Sequence, residues 1–239
     1  MPPLAPLLAL ALAASSGGGS GCRVAIDVGH DRASPGATSA RGASEWTFNA
    51  ALARRLEAAL LRRGVPAFVL ERGGEAIPPA ERPARAAAAG ATLLVSIHHD
   101  SVQPRYLSTW RFRGRDLAYS DRFRGYGLFV SGRNGRFAES ERAAAAIADA
   151  LRAAGLAPSL HHAEAIPGEG RPLLDRARGI YRYDDLAVLA HAPMPAVLVE
   201  AAVIVHRGEE RRARSPRHRR RVAEALAAGV NAYCASAAL

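Results

Sequence analysis

Val24-Ala25-Ile26-Asp27-Val28-Gly29-His30 is the stretch of sequence that decides the fold. Apolar residues fill four of its first five positions, and β-branched residues recur, which predicts a buried strand. The strand ends abruptly in a glycine and a polar histidine. In α/β proteins, ligands bind in the crevice outside the carboxyl ends of parallel strands. His30 is therefore a candidate functional residue, although one histidine alone is a weak signal.

The rest of the chain alternates between helix-like and strand-like segments. Apolar positions recur at helical spacing over residues 45–63, and Ser44 precedes them as the predicted N-cap. Further strands are predicted at 65–70, 92–97, 127–131 and 195–199, and further helices at 81–89, 139–154 and 217–233. This alternation predicts a single α/β domain, with a mostly parallel twisted sheet of about six strands and helices on both faces.

Length and composition agree with one exported domain of ordinary size. The chain has 239 residues, of which 49% are hydrophobic, so it is long enough to bury a substantial core. Its formal net charge is +10, and arginine supplies every basic side chain apart from histidine. This charge favours binding to a polyanion such as the cell envelope. Nucleic acid is not expected as a partner, because no basic stripe is interleaved with aromatic residues.

The N-terminal segment predicts export. Residues 4–14 form an apolar run that suits a signal peptide and is too short to span a bilayer. We therefore assign residues 1–21 to a signal peptide with a Gly/Ser spacer, residues 22–239 to the catalytic domain, and the protein to the periplasm or cell envelope. Two alternatives are open for Cys22: a lipid anchor, or a disulfide with Cys234 in an oxidising compartment.

Three more polar residues stand at ends of predicted elements. Glu45 begins the helix after the first strand, His98 ends strand 92–97, and Glu200 ends strand 195–199. Two imidazoles and one carboxylate with an open fourth position are typical of a catalytic Zn²⁺ site, which predicts a centre at His30, Glu45 and His98. A further carboxylate beside it suits a general base, which is the role predicted for Glu200.

These motifs resemble those of the zinc-dependent N-acetylmuramoyl-L-alanine amidases of bacterial cell walls. The matching pieces follow the family order from Asp27-Val28-Gly29-His30 and Glu45 to Ser96-Ile97-His98-His99-Asp100 and Leu198-Val199-Glu200, over about residues 23–235. The resemblance implies zinc ligands at His30, Glu45 and His98 and a catalytic Glu200. The implied reaction is hydrolysis of the amide between the lactyl group of N-acetylmuramic acid and L-alanine in peptidoglycan. An activator protein is a further partner that the sequence leaves open.

The sequence departs from the family pattern in places and leaves two other functions open. Asp31-Arg32 stand where the family usually has Gly-Gly, and Asp100 stands where it usually has Asn. A zinc peptidase acting on stem or other short peptides would use the same types of ligand. A non-catalytic cell-wall-binding module is the third alternative, but such a module has no need of a base beside an open metal position.

Several other residues have open roles. His99 should point away from His98 and lie in the groove or behind a metal ligand. The pair His161-His162 is expected to be solvated or to line the groove rather than to bind a metal. The segment 102–136 is expected to be a lid or substrate-reading loop, with too little helical periodicity for a helical plug. Its arginines suit the carboxylates of a peptide stem, or else form a solvated surface; they are Arg105, Arg111, Arg113, Arg115, Arg122 and Arg124.

Overall fold

The computed structural model describes residues 21–237 of the chain. The predicted signal peptide therefore falls almost wholly outside the described residues and stays a prediction. Among the residues that are described, no helix combines the length and apolar character needed to cross a membrane.

Nine strands, six α-helices and two short 3-10 turns follow one another along the described residues. The strands are β1 (Val24–Val28), β2 (Ala67–Val69), β3 (Leu93–Asp100), β4 (Ser108–Phe112), β5 (Arg115–Tyr119), β6 (Gly127–Val130), β7 (Leu173–Asp175), β8 (Ile180–Arg182) and β9 (Ala196–Val203). The helices are α1 (Glu45–Arg62), α2 (Arg82–Ala88), α3 (Phe137–Ala153), α4 (Ala187–Ala190), α5 (Arg207–Arg214) and α6 (Pro216–Ala237).

The central sheet is mostly parallel, as predicted. Its order is β2-β1-β3-β9-β6-β8-β7, with antiparallel pairing only of β6 with β9 and of β7 with β8. It has seven strands where about six were expected. The miscount arises from β7 and β8, which are three residues long each and too short to give a periodic pattern.

Alternating side chains divide the core into two layers. Val24, Ile26 and Val28 of β1 pack into the cluster that includes α1, α3 and α6, whereas Ala25 packs into the cluster on the other face with α2 and α4. The expected helices on both faces are therefore present. The second face carries only short helices, of seven and four residues, so the carboxyl edge of the sheet stays accessible there.

The sequence did not indicate two local features correctly. Residues 102–136 include the separate two-stranded hairpin β4-β5, and within this range the structure places no α-helix. Ser44 occupies the N-cap position of α1, but its side chain caps no backbone N–H there; its hydroxyl lies 3.0 Å from Thr47 Oγ1 instead.

A disulfide joins the two ends of the described fold. Cys22, just before β1, is bonded to Cys234 in α6, which is 212 residues away in sequence. A cross-link that closes so long a loop restricts the unfolded chain strongly. Disulfides persist in oxidising compartments, so this bond suggests a location outside the cytoplasm.

A buried ion pair anchors the carboxyl end of β1. Arg82 at the start of α2 donates to Asp27 Oδ1 at 3.1 Å and to the carbonyls of Val28 at 2.7 Å and His30 at 3.2 Å. Asp27 also accepts from Ser96 Oγ of β3 at 2.5 Å. Arg82 therefore fixes the turn that presents His30, and Asp27 acts as part of this scaffold.

We expect Arg82→Ala to lower the free energy of unfolding by about 3 kcal/mol, because it leaves the buried Asp27 carboxylate without its cation. Chemical denaturation with urea measures the change. Arg85→Ala is the matched control, since Arg85 lies on the same helix with its side chain half exposed and should change stability by less than about 0.5 kcal/mol. Equal effects of the two substitutions would contradict the anchoring role of Arg82.

Candidate metal centre and groove

His30, Glu45 and His98 come together at the carboxyl edge of the sheet. His30 Nε2 lies 3.0 Å from Glu45 Oε2, and His98 Nδ1 lies 3.0 Å from Glu45 Oε1. One ligand atom from each of the three lies within 4.8 Å of the others, as in a group able to hold a metal ion. Glu45 is buried, while the imidazole of His30 keeps about a third of its surface exposed. The group is therefore buried on the side of Glu45 and accessible to solvent on the side of His30.

Glu45 is held by donors on every side. Besides the two imidazoles, its carboxylate accepts hydrogen bonds from Asn49 Nδ2 at 3.1 Å and from the backbone N–H groups of Ala37 at 3.1 Å and His99 at 3.3 Å. Burial alone would raise the pKa of Glu45, but the hydrogen bonds and charges of His30 and His98 outweigh it and hold the pKa well below its usual range. The same carboxylate raises the pKa of His30. Glu45 is therefore an ionised carboxylate with a fixed orientation.

Two glycines leave the space that these side chains occupy. A Cβ at Gly29 would lie 2.3 Å from His98 Nε2, and a Cβ at Gly36 would lie 2.4 Å from Glu45 Oε2. Gly36 also has a φ of +74°, which favours glycine. The ring of His98 thus lies directly on the backbone of β1, and any larger residue at Gly29 displaces it.

Glu200 stands beside His98 on the neighbouring strand. The two residues are partners in the parallel register of β3 and β9. Within the described part of the chain, the buried Oε2 atom of Glu200 has no hydrogen-bond partner. Burial, together with the negative charges of Asp100 and Glu45, raises the pKa of Glu200 well above its usual range. Such an unpaired buried carboxyl in a cleft is typical of a functional group.

The centre lies where two cavities meet on the thinly covered face of the sheet. One cavity of about 610 Å³ extends past Asp31 and Arg82. The other, of about 480 Å³, extends past Glu200 and Arg171. His30 and His98 line both, so together the cavities form a groove with the histidines in its middle.

Asn49 is a residue that the sequence analysis missed. It lies one helical turn after Glu45, and it donates to Glu45 Oε1 and to the carbonyl of Gly29 at 3.0 Å, while its Oδ1 lies 2.8 Å from His99 Nδ1. His99 faces away from the groove behind Glu45, and burial lowers its pKa to about 3. Its spacing of four residues from Glu45, which places both side chains on one face of the helix, was the sequence signal that could have identified it.

His161 and His162 are not solvated. Both lie against Asp100, whose Oδ2 is 3.2 Å from His161 Nε2 and 2.8 Å from His162 Nε2. Burial would lower the pKa of His162, but Asp100 and Glu169 outweigh it and raise that pKa to about 9. Burial would raise the pKa of Asp100, but the two histidines lower it to about 2. His162 lines the groove, which was one of the two roles expected for this pair.

The arginines of segment 102–136 lie away from the groove. Arg111 pairs with Asp116 inside the hairpin and Arg122 lies near Glu164. In the part of the chain that the structure describes, the two cavities are lined instead by Arg82 and Arg171. The expectation that the segment's own arginines read the substrate is therefore not supported by their positions.

The sequence model of the N-acetylmuramoyl-L-alanine amidases matches residues 24–232, nearly the whole described chain. The chain belongs to this family. It is accordingly an enzyme that cleaves the amide between N-acetylmuramic acid and L-alanine in peptidoglycan. This membership favours the amidase over the zinc peptidase and the wall-binding module. No curated protein sequence matches the chain.

Solved structures of amidases share the fold. Ami1 from Mycobacterium smegmatis has a TM-score of 0.72 at 22% identity, with 90% of this chain and 98% of that chain covered. The catalytic domain of CwlV from Bacillus (Paenibacillus) polymyxa var. colistinus has a TM-score of 0.66 at 24% identity, covering 89% and 97%. CwlD from Clostridioides difficile, solved in complex with the GerS lipoprotein, has a TM-score of 0.65 at 16% identity, covering 90% and 99%.

We expect Gly29→Ala to lower the affinity of the amidase for a divalent metal ion by at least about tenfold, because the new methyl group displaces the ring of His98 from the candidate metal group. Competition with a chromophoric chelator measures the affinity. Gly135→Ala is the matched control, since its Cβ would meet no atom within 4 Å. An unchanged affinity in Gly29→Ala would show that the contact of His98 with this backbone does not matter for binding.

Proposed function

We propose that this amidase holds one catalytic zinc ion between His30, Glu45 and His98 and uses Glu200 to move the proton. The observation that carries the proposal is the convergence of two imidazoles and one ionised carboxylate beside Glu200, whose buried Oε2 atom has no hydrogen-bond partner among the described residues. Two nitrogen ligands and one oxygen ligand with an open front fit the donor set of catalytic zinc sites. A zinc ion bound there would polarise the scissile carbonyl and acidify a water molecule.

Glu200 has the environment of a group that first accepts and then donates a proton. Burial and the charges of Asp100 and Glu45 raise its pKa, so that its carboxylate accepts a proton more readily than an exposed glutamate does. Its carboxylate would take a proton from the attacking water and pass it to the nitrogen of the leaving L-alanine. The lactyl group ends as a carboxylate that contains the oxygen of the water, and the two protons of the water end on the new amino terminus of the peptide.

The groove has room for substrate on both sides of the centre. Its two arms have volumes of about 610 and 480 Å³ and meet at His30 and His98. The scissile amide lies between a glycan and a peptide, so an amide placed at the centre would extend one arm of the substrate into each cavity. Because segment 102–136 carries no α-helix over the groove, we propose that no activator protein is needed to uncover it.

We further propose that the protein is exported and works in the cell envelope without a lipid anchor. The disulfide uses the sulfur of Cys22, and a lipid thioether would need the same atom. The net charge of +10 supports attraction to anionic envelope polymers.

Glu200→Gln should retain zinc and lose activity by about a thousandfold, because the amide neither accepts nor donates the proton. Metal analysis and the release of amino termini from purified peptidoglycan give the two readouts. Glu81→Gln, an exposed side chain outside the groove, should leave both unchanged. Near-normal hydrolysis by Glu200→Gln would rule out the proposed proton transfer.

His98→Ala should lower zinc occupancy and abolish hydrolysis, because it removes one of three proposed ligands. Undiminished zinc in His98→Ala would reject the ligand assignment.

Mass spectrometry of the wild-type digest should find intact stem peptides that begin with free L-alanine, together with glycan without peptide. Shortened stems still joined to the glycan would point to peptidase chemistry.

A further inference from the structure

A second group of metal-binding side chains lies on the wall of the same groove. It consists of Asp100, His161 and His162, which offer ligand atoms within 4.8 Å of one another. Asp100 belongs to β3, and the histidines come from a short 3-10 turn, residues 161–163, far along the chain. None of the three takes part in the centre at His30, Glu45 and His98.

The contact distances in this second group are similar to those in the first, but both of its imidazoles approach the same carboxylate oxygen. Asp100 Oδ2 lies 2.8 Å from His162 Nε2 and 3.2 Å from His161 Nε2, whereas the corresponding distances around Glu45 are both 3.0 Å. Nitrogen and oxygen ligands that share one tetrahedral zinc ion, each at about 2.0–2.2 Å, stand about 3.4 Å apart. Both groups therefore need only a slight expansion to close around an ion.

The outer nitrogens of both histidines are already engaged. His162 Nδ1 lies 2.8 Å from Glu169 Oε2, and His161 Nδ1 lies 2.8 Å from Ser159 Oγ. Glu169 is itself held by Gln103 Nε2 at 2.9 Å. Metal-binding histidines are commonly oriented in this way, with a carboxylate or another oxygen on the second ring nitrogen. Here the two contacts turn both Nε2 atoms towards the same carboxylate oxygen.

Charge and burial also favour a cation at this position. Asp100 and Glu169 are two largely buried carboxylates, and the side chain of His161 is 2% exposed. Buried charges are costly unless they are paired or coordinate a metal. Without a metal, two imidazoles share one oxygen atom of Asp100, and His161 Nε2 also lies 3.3 Å from the carbonyl oxygen of Ser101. A divalent ion would give each ring nitrogen its own bond and balance both carboxylates.

The second group opens into the groove beside Glu200. Asp100 follows His98 by two residues on β3, so their side chains lie on the same face of the sheet. The cavity of about 480 Å³ is lined by His98, Asp100, His162 and Glu200 together. An ion bound at this site would therefore lie within reach of a substrate bound in the groove.

We propose that Asp100 Oδ2, His161 Nε2 and His162 Nε2 form a second binding site for a divalent transition-metal ion. Imidazole and carboxylate ligands suit zinc and its neighbours in the first transition row. This inference is independent of the role proposed for Glu200, because it concerns binding alone.

The test is the zinc stoichiometry of the full, disulfide-bonded chain. Metal-free protein is loaded with Zn²⁺, freed of excess ion by gel filtration and analysed by inductively coupled plasma mass spectrometry. We expect two equivalents in the wild type and one in Asp100→Asn and in His162→Gln. His191→Gln, which alters an exposed histidine elsewhere, should keep two. Zinc contents of Asp100→Asn and His162→Gln that both equal the wild-type content would overturn the proposal, whether the wild type holds one equivalent or two.

Variants at the first centre separate this proposal from the proposed function. His98→Ala should keep the second equivalent, and the double variant His98→Ala/Asp100→Asn should keep none. If His98→Ala lost no zinc while Asp100→Asn lost one equivalent, the catalytic assignment would fail and the second site would stand. Asp100→Asn is nearly isosteric, so it still reports on the site if His162→Gln does not fold, which circular dichroism shows.

Discussion

A carboxylate buried at the edge of a sheet is stable only when donors surround it, and Glu45 is the residue on which this constraint acts. Its two oxygens contact His30, His98, Asn49 and the backbone of the loop before α1. Each contact also fixes a group that the chemistry needs. The imidazoles are placed by a side chain that itself has little freedom to move. The positions of the side chains in the centre are therefore fixed by the hydrogen bonds that the buried Glu45 carboxylate requires.

The topology of the sheet brings these groups to one place. β1, β3 and β9 are adjacent and parallel, so their carboxyl ends share one edge of the sheet. Short α2 and α4 leave that edge open on one face, while α1, α3 and α6 close the other. A longer helix in place of α4 would cover Leu198, which lines both cavities. The thin helical layer is thus as necessary to the groove as the strands are.

Sequence reasoning located residues whose position depends on strand ends, and it missed those that depend on long-range packing. His30, His98 and Glu200 could be predicted to meet, because parallel strands end at a common edge. Asn49 lies inside a helix, and only its spacing of four residues from Glu45 linked it to the site. The hairpin β4-β5 and the short turn that carries His162 lie in segments without clear periodicity, and no local pattern specifies that His162 contacts Asp100 at the end of β3.

The groove carries several carboxylates, although the protein as a whole is basic. The chain carries a net charge of +10, yet Glu45, Asp100, Glu169 and Glu200 all lie at the groove or directly behind it. Arginines elsewhere are tied to their own partners, such as Arg41 to Glu210 and Arg178 to Asp149 and Asp175. Among the described residues, Arg82 and Arg171 line the groove, and Arg82 is already paired with Asp27. The imidazoles of His30, His98 and His162, which bind either protons or metal ions, lie between the carboxylates.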